Sequence, residues 1–168
     1  MRFARAETRE DVLAEVAEEL RLSGVTNDIA DQVVADHLGL NRTDTRCLDI
    51  IERLDGVSAG RLASEAGLST GAVTTVIDRL ERAGYARRVA DTNDRRRVLV
   101  ELTPGARQIL RDLFAPLMDD TMRQLSGYDD DQVGLVRDFL RDLRLLNESH
   151  TERVRLRRFD QDAEAASS

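Results

Sequence analysis

A chain of 168 residues that is 41% hydrophobic and 34% charged has apolar material for one folded domain with appendages, and no apolar run approaches the ~20 residues of a membrane span. Its formal charge of −7, from 25 basic and 32 acidic residues, excludes a uniformly basic surface of the kind that coats nucleic acid. A local basic face survives the count: residues 61–111 hold ten arginines against six acids, or +4, which leaves fifteen against twenty-six, or −11, for the rest, and that distant acid is screened beyond a Debye length of ~8 Å.

All 25 basic residues are arginine, so every basic contact is a planar guanidinium fork. The lone cysteine, Cys47, excludes an internal disulfide and suits a reducing compartment. Met1 to Glu7 turns acidic before any apolar stretch forms, which predicts no signal peptide and a cytoplasmic protein.

In chain order, Val12, Val16 and Leu20 space a first helix, Ser23 to Asn27 is predicted to break or bend it, and Ile29, Val33, Val34 and Leu38 resume it. Cys47 falls on the next helix within reach of Leu48, Ile51 and Leu54, and is expected to pack as a small hydrophobe. His37 and His150 have no companion at ligand spacing, so no metal is expected. Ser58 can cap a short helix whose Leu62, Ala63 and Ala66 share a face. From Ser69 to Ala83, Val73, Val76, Ile77 and Leu80 repeat at helical spacing, and Gly84 ends that helix. A small residue, a turn glycine and a β-branched residue let two helices cross steeply, and Ala63, Gly67 and Val73 supply these.

Two alternating runs, Tyr85 to Ala90 and Arg97 to Leu102, flank the arginine-rich turn Asp91 to Arg96 and predict a hairpin. Thr103-Pro104 then caps a long helix. Its stripe includes Ile109, Leu110, Leu113, Phe114, Leu117 and Leu125, with a kink expected at Pro116. A last helix opens on the acidic turn Asp129-Asp130-Asp131 and carries Val133, Val136, Phe139, Leu140, Leu143 and Leu146. The polar tail 160–168 is predicted to be disordered.

Helix, tight turn, helix and basic hairpin are the parts with which a winged helix reads DNA. On the second helix, Ser69 at the N-terminus with Thr70, Gly71, Thr74 and Thr75 on the outer face combines phosphate-attracting amides with short side chains that let backbone approach base edges. Arg79 and Arg82, further along, suit phosphate. Adjacent Arg95 and Arg96 at a hairpin tip can enter a narrow minor groove, and Arg97 on the return strand can touch phosphate.

The segments LGLNRTDTRCLDII, GRLASEAGLSTGAVTTVIDRLERAGYARR and DTNDRRRVLVELTPGA resemble the MarR family of winged-helix regulators from Leu40 to about Leu110. The resemblance implies a mainly α fold with a small β-hairpin wing, its winged helix-turn-helix domain at 43–104 lying between dimerisation helices at 1–42 and 105–159. It implies a homodimer on a pseudo-palindromic operator in double-stranded DNA, more often as a repressor, with affinity set by a small-molecule effector. By the family pattern Arg96 inserts into the minor groove and Asp94 fixes the wing by a salt bridge. The effector pocket is expected between the helix Cys47 to Leu54 and the two arms. Two alternatives stand beside this reading: a thiol-based redox sensor using Cys47, and a winged-helix protein-interaction module. No nucleophile elbow, phosphate-cradling glycine loop or paired histidine and carboxylate is present, so neither an enzyme nor a cofactor is expected.

Overall fold

The computed structural model describes residues 8–92, 94 and 96–166, with side chains through residue 156. Arg95, one of the residues expected on DNA, and Asn93 of the same turn lie outside the described residues, as do residues 167 and 168 of the tail. The chain divides into two compact units, one up to Arg111 and one from Asp112 onward.

The first unit opens with α1 (Arg9–Leu38), started by a capping box in which the Thr8 hydroxyl accepts from the Asp11 amide and the Asp11 carboxylate accepts from that of Thr8. This helix runs uninterrupted through Ser23 to Asn27, so of the break or bend expected there the break does not occur. Gly24 has open space around it and its cost, ~1 kcal/mol against alanine, is too small to stop a helix of 30 residues. It ends at Gly39, whose φ of 65° is the left-handed conformation that glycine adopts freely.

Asn41 caps α2 (Arg42–Leu54), which buries Asp44, Cys47, Leu48, Ile50 and Ile51. A two-residue strand that the sequence reading missed, β1 (Val57–Ser58), precedes α3 (Ala59–Ala66), capped by Ser58 and ended by Gly67 at φ 65°. Ser69 caps α4 (Thr70–Arg82), and β2 (Ala86–Ala90) and β3 (Val98–Leu102) form the hairpin. The sheet order is β1-β3-β2, antiparallel throughout, with Ala86 opposite Leu102 and Ala90 opposite Val98. Leu48, Ile51, Leu62, Val73, Ile77, Leu80, Val100 and Leu102 are buried together as one core under α2, α3, α4 and the sheet. The Tyr85 hydroxyl donates to the Leu38 carbonyl at 2.9 Å, and the Thr103 hydroxyl to that of Gly84 at 2.8 Å, tying both roots of the hairpin.

Helix α5 (Pro104–Leu125) starts on Thr103, whose hydroxyl accepts from the Ala106 amide, and continues past Pro116. Helix α6 (Asp130–Ala166) begins after a reciprocal cap between Asp129 and Gln132. It extends to Ala166, and from residue 160 onward alanine, glutamate and glutamine are good helix formers with neither glycine nor proline to interrupt them.

Candidate nucleic-acid interface

The geometry of α4 divides it into two faces. Val73, Val76, Ile77 and Leu80 are buried against α2 and α3, which turns Thr70, Gly71, Thr74 and Thr75 outward into solvent. The Ser69 hydroxyl accepts from the Ala72 amide, so the first turn is capped from below while its outer amides stay open. Thr74 and Thr75 donate their hydroxyls to the carbonyls of Thr70 and Gly71, at 3.0 and 3.1 Å. Their donor hydrogens are thereby occupied, leaving methyl groups and oxygen lone pairs to face a partner. An added Cβ at Gly71 meets nothing within 4 Å, so the glycine serves no packing need of this chain.

The arginines fall into two sets. Arg82, Arg96 and Arg97 are exposed and make no side-chain ion pair among the described residues. Arg79 is committed: its Nε lies 3.0 Å from Asp44 Oδ2 and 3.2 Å from Oδ1, and its Nη2 lies 2.5 Å from Oδ1. Asp44 is 3% exposed at its side chain and Arg79 36%, so the fork bridges the core of α2 to the surface of α4. The hydrogen bond to Asp44 raises the Arg79 pKa further and keeps it cationic. Sequence position alone put Arg79 on phosphate; the fold gives it a carboxylate 35 residues away. Only helical phase hinted at Asp44, on the apolar face of α2 beside Cys47 and Leu48.

At the wing, the Asp94 carboxylate accepts from the Arg96 amide at 3.0 Å, and the Asp94 carbonyl from the Arg97 amide at 2.8 Å. Asp94 thus shapes the turn through backbone bonds of the Asx type. Arg88 of β2 donates its Nη2 to Asp78 at 2.7 Å and its Nη1 to Glu81, while its backbone amide donates to Glu81 at 2.9 Å.

Cys47 is fully buried, and desolvation, the largest influence, pushes its thiol up despite the neighbouring Arg46. A thiolate nucleophile is therefore disfavoured there, in keeping with a packing role.

An open groove of about 830 Å³ lies in the first unit between the end of α1, the start of α2 and α4. Leu40, Leu68, Ala72 and Val76 give it apolar walls, and Gln32, Asp36, Arg42 and Arg79 give it polar ones. It uses the Asn41 to Thr43 end of α2, one to two turns before the Cys47 to Leu54 segment expected from sequence.

A capped helix packed across a second one, its outer face open, beside a three-stranded sheet with a basic hairpin, defines a winged-helix DNA-binding regulator. Comparison with known proteins agrees. Residues 40–98 match the model of the MarR family. The chain is 36% identical over 135 residues to the HTH-type transcriptional regulator YcgE of Bacillus subtilis, covering 80% of this chain and 88% of that one. Among solved structures it resembles a MarR family protein from Bacillus stearothermophilus, with a TM-score of 0.58, 21% identity and coverage of 86% and 99% of the two chains. It also resembles Streptococcus pneumoniae FabT in complex with DNA, with a TM-score of 0.56, 23% identity and coverage of 80% and 98%. At these identities the two structures attest the fold, and the family rests on the sequence matches. The chain belongs to the MarR family and is a DNA-binding transcriptional regulator, not an enzyme.

Proposed function

We propose that this regulator is a homodimeric repressor of a pseudo-palindromic operator, released by a small-molecule effector. The observation that carries the reading is the division of labour among exposed groups: Thr70, Gly71, Thr74 and Thr75 face outward on α4, and Arg96 and Arg97 on the wing make no side-chain ion pair among the described residues. Ser69 and the first α4 amides hold a phosphate, Thr74 and Thr75 meet base edges in the major groove, Arg95 and Arg96 serve the adjacent minor groove, and Asp94 shapes the turn that presents Arg96. The effector occupies the groove beside α4, where it can favour one placement of the recognition helix over another; only such differential affinity shifts an equilibrium. Dimerisation through the apolar arms sets two such units on successive major grooves, roughly 34–36 Å apart. FabT, a relative in fold, has been solved in complex with DNA, and the likeness supports the docking proposed for this chain.

The test is selection of bound sequences from random duplex DNA by the full chain. An inverted repeat with half-sites one helical turn apart is expected, with affinity falling steeply as salt rises. Thr75→Ala should change the preferred base at one or two positions of each half-site. Recovery of no common sequence, with affinity indifferent to salt, would instead identify a protein-interaction module.

A further inference from the structure

The hairpin is anchored unevenly. At its root Ala86, Val100 and Leu102 are buried in the core, and β1 pairs with β3 at Val57 and Ser58. Beyond that point apolar core packing thins: Ala90, Thr92, Asp94, Arg96 and Val98 are exposed and Val89 and Leu99 half-buried, with Asp91 alone of the described residues there buried. β2 is moreover the edge strand. The bonds from the Thr103 amide to Tyr85 and from the Asp91 amide to Arg97 make the odd-numbered residues of β2 face β3, so the amide of Arg88 points away from the sheet. That outward amide is taken by the Glu81 carboxylate of α4, and the Arg88 guanidinium grips Glu81 and Asp78 together. These side-chain hydrogen bonds join the hairpin to the recognition helix.

Pairs this exposed, with side chains 37%, 48% and 30% accessible for Arg88, Asp78 and Glu81, add little to global stability. Three bonds converging from one residue on two carboxylates one helical turn apart do fix an angle. We propose that Arg88 is a positioning residue for operator recognition, clamping the wing to α4 so that minor-groove and major-groove contacts reach DNA as one preorganised unit. The proposal rests on the docking described above. Its physical content is that a wing already held in place spends no binding energy on ordering, so the Arg96 contact counts in full; a loose wing surrenders most of that contact to the ordering cost.

The experiment uses the full chain and a duplex selected from random DNA by the wild-type protein. In the wild-type background Arg96→Ala should weaken binding about tenfold. In an Arg88→Met background the same Arg96→Ala change should weaken it no more than about twofold, because the loosened wing has already lost its contribution. The base preference lost in Thr75→Ala should be the same in both backgrounds, and the urea midpoint should barely move. Should Arg88→Met fail to fold, Asp78→Asn with Glu81→Gln removes the clamp from the other side. That pair also deletes two negative charges, which offsets part of the loss in overall affinity, so the readout is the Arg96→Ala factor, which must still shrink. An undiminished tenfold factor with the clamp removed overturns the positioning role. If Arg96→Ala has no effect even in the wild-type protein, the wing docking itself is wrong and the clamp has no contact to position.

Discussion

At the scale of single residues, the pair formed by Asp44 and Arg79 shows how unequal burial makes the two halves of one contact unequal. Asp44 has almost no solvent access, whereas Arg79 keeps about a third of its side chain in water. Removing the arginine strands a buried carboxylate without its counter-charge, and Arg79→Met should cost about 3 kcal/mol, near the low end for a broken buried pair because the site is partly wet. Removing the charge on the acid lets Arg79 turn outward to solvent, so Asp44→Asn should cost about 1–2 kcal/mol. Urea unfolding of the two variants decides the order, and a larger loss for Asp44→Asn would mean that the carboxylate is not the dependent partner. The pairing was not legible in the sequence, since nothing in a linear pattern marks two charges 35 residues apart as neighbours. The outward threonines and the exposure of Arg96 and Arg97 were legible because helical phase and turn chemistry are local. Arg79 and Arg82 looked alike in sequence; the fold separated them by giving only one an acid.

At the scale of elements, caps announced themselves and breaks did not. Ser58, Ser69 and Thr103 each accept the amide that their position predicted, and Gly67 and Gly84 take positive φ at helix ends, because a cap is decided within four residues. Strand β1 escaped notice because two residues carry no period, and only their partners on β3 make them a strand. The continuity of α1 through Gly24 was missed because a mid-helix glycine and a helix-ending one look the same without their surroundings. Two glycines with equally empty surroundings now separate structure from function. Gly24→Ala and Gly71→Ala should each stabilise the fold by about 0.5–1 kcal/mol, since an added Cβ meets nothing within 4 Å and the helix gains a better former. On DNA they should part: Gly24→Ala leaves operator affinity unchanged, while Gly71→Ala weakens it severalfold because its methyl intrudes where the backbone of α4 meets the duplex. Thermal melts and binding isotherms on the same samples give both answers, and equal affinities would place Gly71 away from DNA.

At the scale of the whole molecule, each of the three long helices leaves large apolar side chains uncovered. On α1, Ile29 and Val33 are about 60% exposed; on α5, Leu117 is 67% exposed; on α6, Leu135, Leu140 and Leu146 are 71%, 56% and 64% exposed. Apolar stripes of this kind call for a covering partner, and no helix among the described residues is long and apolar enough to cross a membrane. A second copy offers the same stripes in the same order, and a self-complementary face closes under two-fold symmetry. The chain is therefore predicted to sediment as a dimer at micromolar concentration. Leu140→Glu with Leu146→Glu should shift it toward monomer by placing charge on the α6 face, while the core of α2, α3, α4 and the sheet, which contains neither residue, keeps its structure. Binding then reports the coupling: losing the tether between half-sites should cost the doubled variant roughly a hundredfold or more on the full operator and very little on an isolated half-site, as the avidity of linked sites requires. A dimer that survives both glutamates would move the interface off this stretch of α6, and a wild-type monomer with full operator affinity would remove the need for a second copy altogether.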